Sequence, residues 1–143
     1  MSWALHPRLD ADTVEVGTLP LCAVRLSRDA RWPWLVLVPR VDGARELVDL
    51  DAADQARLLA ELGLASRALQ ALFAPDKLNL AALGNLVPQL HWHVVARHVH
   101  DAAWPRPIWG VGEPLDYASD ALAARVQALR GALAAGGLVP PRG

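Results

Sequence analysis

Cysteine is nearly missing from this chain. Cys22 is the only one in 143 residues, so no disulfide can close within it, and such usage suits a reducing compartment. Surplus charge is missing too: 14 Lys and Arg against 15 Asp and Glu leave −1 with the histidines neutral. That gives no basic surface for a long nucleic acid, although local groups can still bind a small phosphorylated ligand. Long apolar runs are absent, with none approaching the roughly 18 residues of a membrane-spanning helix. The opening MSWALHPRLDADT holds no apolar run of signal-peptide length. We therefore expect no membrane partner, no long nucleic acid partner and a cytoplasmic location. Tryptophan, by contrast, is plentiful, with six residues against one Phe and one Tyr.

Hydrophobic residues make up 53% of the chain and charged residues 20%, a balance that supports a packed core. No repeat or linker interrupts it. We expect one domain over residues 1–143, with a core at about 14–110 and a Pro/Trp segment and helix at 98–136. Residues 1–13 suit a short helix or a loop. Loose alternation over 14–19 and the run LCAVRL over 21–26, parted by Pro20, suggest a hairpin. Residues 34–38, apolar and ended by Pro39, read as a buried strand. Asp49 or Asp51 can cap a helix reaching about Phe73. Leu58, Leu59, Leu62, Ala65, Leu69, Leu72 and Phe73 form its apolar stripe, with Arg57, Glu61 and Arg67 on the outer side. Strands at 77–83 and 89–97 follow, parted by a turn at Gly84-Asn85. Prolines and glycines keep 98–116 irregular. A last helix at 119–135 stops at Gly136-Gly137, and the tail 138–143 is expected to be mobile. The layout is α+β.

Residues 79–97, NLAALGNLVPQLHWHVVAR, combine this patterning with chemistry. In an extended chain Gln89, His91 and His93 stand in a row on one face, with Leu90, Trp92 and Val94 behind them. Histidine titrates nearest neutrality, so one neutral imidazole can attack while its neighbour holds a proton. A glycine turn at Gly84-Asn85 offers main-chain N–H groups to an anion. Arg97, an even number of residues from His91, would share its face and help neutralise phosphate. Together these suggest transfer at phosphorus. The His-x-His spacing alone fits core or surface histidines equally, Arg97 fits a surface strand end, and Gly84-Asn85 fits a plain turn. A zinc site drawing on His91, His93, His98, His100 and Asp101 is a further reading.

The sequence from Gly84-Asn85 through Gln89-Leu90-His91-Trp92-His93-Val94-Val95 resembles the signature of the histidine triad (HIT) superfamily, His-apolar-His-apolar-His-apolar-apolar, with Gln89 in the first position. Residues 35–39, LVLVP, resemble the family strand before its long helix, and the likeness spans roughly 14–110. The resemblance implies an antiparallel five-stranded sheet with a long helix and a C-terminal helix. It implies a homodimer, hydrolysis or transfer at the α-phosphate of a small nucleotide conjugate, and no cofactor or required metal. His91 would be the nucleophile, His93 would assist at the phosphate or leaving group, and Gln89 would orient the ring of His91. Asn79 falls where the family places a ribose- or phosphate-contacting asparagine. Asp29 or Arg28 could meet ribose hydroxyls or be solvated charges. Trp34, where many members carry histidine, would be core or pocket wall. Trp104 or Trp109 could stack on a base, pack across a dimer, or pack on their own domain.

Overall fold

A computed structural model of the chain describes residues 2–142. The elements run α1 (Pro7–Asp12), β1 (Thr13–Thr18), β2 (Cys22–Ser27), β3 (Trp34–Pro39), a 3-10 turn (Leu47–Asp49), α2 (Ala52–Phe73), β4 (Lys77–Ala81), β5 (Trp92–Arg97) and α3 (Ser119–Ala134). The five strands form one sheet in the order β1-β2-β3-β5-β4, antiparallel throughout. This is the α+β, five-stranded architecture expected. Among the described residues no helix is long and apolar enough to cross a membrane.

Strand alternation gives the sheet two different faces. Val24, Leu26, Leu35, Leu37, Val94 and Ala96 point to α2 and α3 and build the main core with Leu58, Leu62, Leu69, Leu129 and Leu133. Each fully buried leucine there contributes about 2 kcal/mol. Ala23, Val36 and Val38 face the other way, against Trp3, Leu5 and Leu9. Val95 meets Trp32, Ala103 and Ile108 of the long loop after β5. Every residue of β2 is buried because both faces are covered.

Helix α2 begins where expected. The Asp51 carboxylate accepts from the Asp54 N–H, and the helix ends at Ala74, which adopts a left-handed conformation just before Pro75. Glu61 does not lie on the outer side. It is buried at 4% exposure, and its two carboxylate oxygens accept the Leu21 and Cys22 N–H groups at 2.8 Å each. A charge on the inner face is tolerated because the turn between β1 and β2 supplies two otherwise unpaired donors.

The tail is not loose over its described part. Thr18 and Val139 exchange main-chain hydrogen bonds at 2.8 and 2.9 Å, and Leu138 is buried. Gly17 makes this approach feasible, since a Cβ there would stand 2.6 Å from the Val139 oxygen. Two strands are shorter than expected. β4 stops at Ala81, and β5 starts at Trp92 rather than at Gln89. Pro88 has no N–H, and the Leu90 N–H donates to the Ala44 carbonyl at 3.0 Å, which draws residues 88–91 off the sheet.

Candidate active site

On β3 and β5 the register sets Val36 opposite His93 and Trp34 opposite Val95. Trp34 is thus the same-face diagonal neighbour of His93, within reach of a large side chain. Its indole Nε1–H donates to His93 Nδ1 at 2.9 Å. An indole nitrogen can only donate, so His93 Nδ1 carries no proton and the ring is the Nε2–H tautomer. Burial first, and the neighbouring His91 second, push the His93 pKa down to about 4, so the ring is neutral at physiological pH.

His91 lies one residue before β5. Its Nδ1 is 2.7 Å from the main-chain oxygen of Gln89. A carbonyl can only accept, so His91 carries its proton on Nδ1 and leaves a lone pair on Nε2. The two rings stand 5.0 Å apart, near edge-on. One presents a lone pair and the other an N–H, each fixed by a partner that does not titrate.

Both histidines line a cavity of about 360 Å³. Trp34, Val36, Trp109, Leu83 and Val87 give it apolar walls, Gly84 and Asn85 form one rim, and Arg8, Leu9 and Asp12 of α1 form another. The Trp109 ring lies 5.2 Å from His93 and perpendicular to Trp34 at 6.3 Å. Such apolar concavities with a few convergent polar groups are the usual form of small-molecule sites. A second cavity of about 240 Å³ is also lined by His91, with Arg45, Glu46 and Gln89.

The HIT domain family profile matches residues 8–100. A histidine triad protein from Bradyrhizobium japonicum has 51% sequence identity and a TM-score of 0.90, with 92% of this chain and 98% of that one covered. One from Marinobacter aquaeolei VT8 has 44% identity and a TM-score of 0.91, covering 94% and 98%. One from Sinorhizobium meliloti 1021 has 39% identity and a TM-score of 0.89, covering 92% and 97%. The chain belongs to the histidine triad (HIT) family. A comparison with curated proteins finds no match.

On this HIT fold the expected site residues fall into two groups. His91, His93, Gly84 and Asn85 come together at the main cavity. Gln89 does not turn its side chain to the His91 ring. Its Oε1 accepts from the His6 N–H at 2.8 Å and its Nε2 donates to the Ala4 carbonyl at 2.9 Å. The orienting group is the Gln89 main-chain carbonyl.

Arg97 shares the His93 face, as parity requires, but it is buried at 2% exposure and lies outside the cavity lining. Its guanidinium donates to both oxygens of Asp101 at 2.8 and 3.1 Å and to Asn79 Oδ1 at 2.8 Å. Arg97 and Asn79 are therefore engaged with each other. Asp101 also accepts from the main-chain N–H groups of His98, Ala103 and Trp104. Burial alone would raise its pKa, but the Arg97 hydrogen bonds and these N–H donors hold it well below the usual carboxylate range. The ion pair anchors the 98–111 loop, which brings Trp109 to the cavity.

Asp29 is also buried. It accepts from the Arg31 guanidinium and from the Leu115 N–H, and so organises its own loop away from the cavity. The histidine cluster is divided, because His98 Nε2 donates to the Phe73 carbonyl at 2.9 Å. Among the described residues no three His, Cys, Asp or Glu side chains converge as metal ligands would. Sequence reasoning undervalued Trp34, whose signal was the shared parity with Val36. A short helix within 1–13 is among the expectations, but its place beside the cavity is not, and the apolar series Trp3, Leu5 and Leu9 was the signal for it.

Proposed function

We propose that this protein is a hydrolase or nucleotidyl transferase that cleaves a nucleotide conjugate at its α-phosphate through a nucleotidyl-His91 intermediate. The observation carrying this reading is the pair of opposite tautomers: the His91 Nε2 lone pair and the His93 Nε2–H, set in one apolar cavity. His91 Nε2 attacks phosphorus, the bond to the leaving group breaks, and its electron pair departs with the leaving group, which takes a proton from water. The His93 Nε2–H donates to a phosphate oxygen or to the leaving atom. Water then attacks phosphorus and loses its proton to solvent, and the P–N electron pair returns to His91. The sum is conjugate plus water giving nucleotide plus protonated leaving group.

Trp34 and Trp109 wall the base, and Gly84 and Asn85 serve the phosphate. A homodimer completes the proposal, with the sheet extended through the edge strand β4. The 40% exposure of Leu80 on that strand supports this. The test is turnover of a panel of nucleoside phosphoramidates and dinucleoside polyphosphates, with mass-spectrometric trapping of the adduct. His91→Asn should abolish both while leaving the fold intact. Unchanged turnover in that variant, or nucleotide binding by the wild type with neither turnover nor adduct, would overturn the reading.

A further inference from the structure

The side chain at the first position of the histidine row engages neither histidine. Gln89 instead holds the segment before α1 at two points, taking the His6 N–H on Oε1 and giving Nε2–H to the Ala4 carbonyl. A primary amide suits this task, because one planar group offers an acceptor and a donor to a single main-chain segment. The held segment also packs: Trp3 and Leu5, like Trp34, lie against the cluster of Leu9, Ala23, Val36, Val38 and Val87 on the site face of the sheet. α1 follows directly, and Arg8, Leu9 and Asp12 face the same cavity as His91 and His93.

The far end of α1 has its own fastenings. Arg25 pairs with Asp10 at 2.9 Å, and the Thr13 hydroxyl donates to the Leu9 carbonyl. Gln89 is thus the polar attachment of the front half only.

We propose that Gln89 is a specificity-setting clip that fastens residues 4–6 so that α1 forms one wall of the nucleotide cavity. This rests on the nucleotide reading of that cavity. Histidine at position 89 would lose the two-point match, so restoring the family row would loosen the wall. Glutamate would keep the acceptor for the His6 N–H and lose the donor to Ala4.

The experiment compares wild type with Gln89→Ala, Gln89→His and Gln89→Glu by amide hydrogen exchange over residues 4–12, by titration with AMP, and by kcat and KM on a nucleotide conjugate. Losing both hydrogen bonds should speed exchange at the His6 N–H by about tenfold or more. Gln89→Glu should fall between Gln89→Ala and wild type. AMP affinity and KM should weaken together by about three- to tenfold, with kcat changing less. Exchange that does not change in Gln89→Ala overturns the clip. So does a kcat loss with KM unmoved, which would place the side chain on the His91 ring. Wild-type protein that binds no AMP would overturn the nucleotide reading, and the exchange comparison would still decide the clip on its own.

Discussion

Replacing Trp34 with Phe removes one N–H while keeping an aromatic ring against His93. In the native site that N–H is the partner of His93 Nδ1, at 2.9 Å. Without it two states remain. The ring can keep Nε2–H and leave a buried acceptor unpaired, which costs about 1–3 kcal/mol. Alternatively the proton moves to Nδ1, and the site loses the donor that faces substrate. Presenting the donor then costs about that much relative to the favoured tautomer, so at about 1.4 kcal/mol per decade kcat/KM should fall by roughly tenfold, with a ceiling near a hundredfold. His93 should stay neutral in the variant, because burial is the larger cause of its depressed pKa and Phe preserves burial. The assay pairs kcat/KM on a nucleotide conjugate with ¹⁵N NMR of the imidazole nitrogens at neutral pH. Mixed tautomer signals at His93 with a slower rate are expected. A His93 spectrum like wild type together with a rate within about twofold would refute the tautomer argument.

Two further outcomes follow from buried titratable groups. His93 is held at about 4 in the fold against an ordinary value of about 6.5, so below the latter the unfolded chain binds a proton that the native chain refuses. The stability is therefore complete above pH 6.5 and is lost as pH falls toward 4, by up to about 3 kcal/mol. Urea denaturation across that window should show the slope in wild type and a shallower one in His93→Gln. Asp101→Ala should destabilise by about 3–5 kcal/mol, because Arg97 would be left buried without its counter-charge. Thermal and denaturant melts would measure this, and a loss under about 1 kcal/mol would mean that water replaces the carboxylate.

The architecture was legible wherever a single period ran unopposed. The buried run at 34–38, the capped helix after Asp51 and the last helix all fell within a residue or so of their observed bounds. So did the closeness of His91 and His93, since neighbours two apart at a strand start cannot separate far. Hidden features depended on partners that neither strand nor helix periodicity identifies. Glu61 looked external because its compensation comes from N–H groups 39 and 40 residues away. Arg97 was placed on the correct face, but its reach was decided by Asp101 on a turn whose path no periodicity describes. Trp34 read as apolar bulk because its one polar atom matters only once β3 lies beside β5. Alternation sets Gln89 in the histidine row and the family resemblance gives it the His91 ring, but alternation fails where Pro88 and the Leu90–Ala44 bond draw the chain off the sheet.

The Asp101 hub has a consequence for how this cavity can change. Two sides of the cavity are mounted differently. The loop bearing Trp109 is bolted down by a buried ion pair and three main-chain donors on one carboxylate. The front of the α1 side rests on two uncharged hydrogen bonds and some apolar packing. One wall is thus held by charge and the other by neutral contacts. Substitutions in the first few residues can retune the cavity's width without disturbing the histidines, whereas changes around Asp101 put the whole loop at risk.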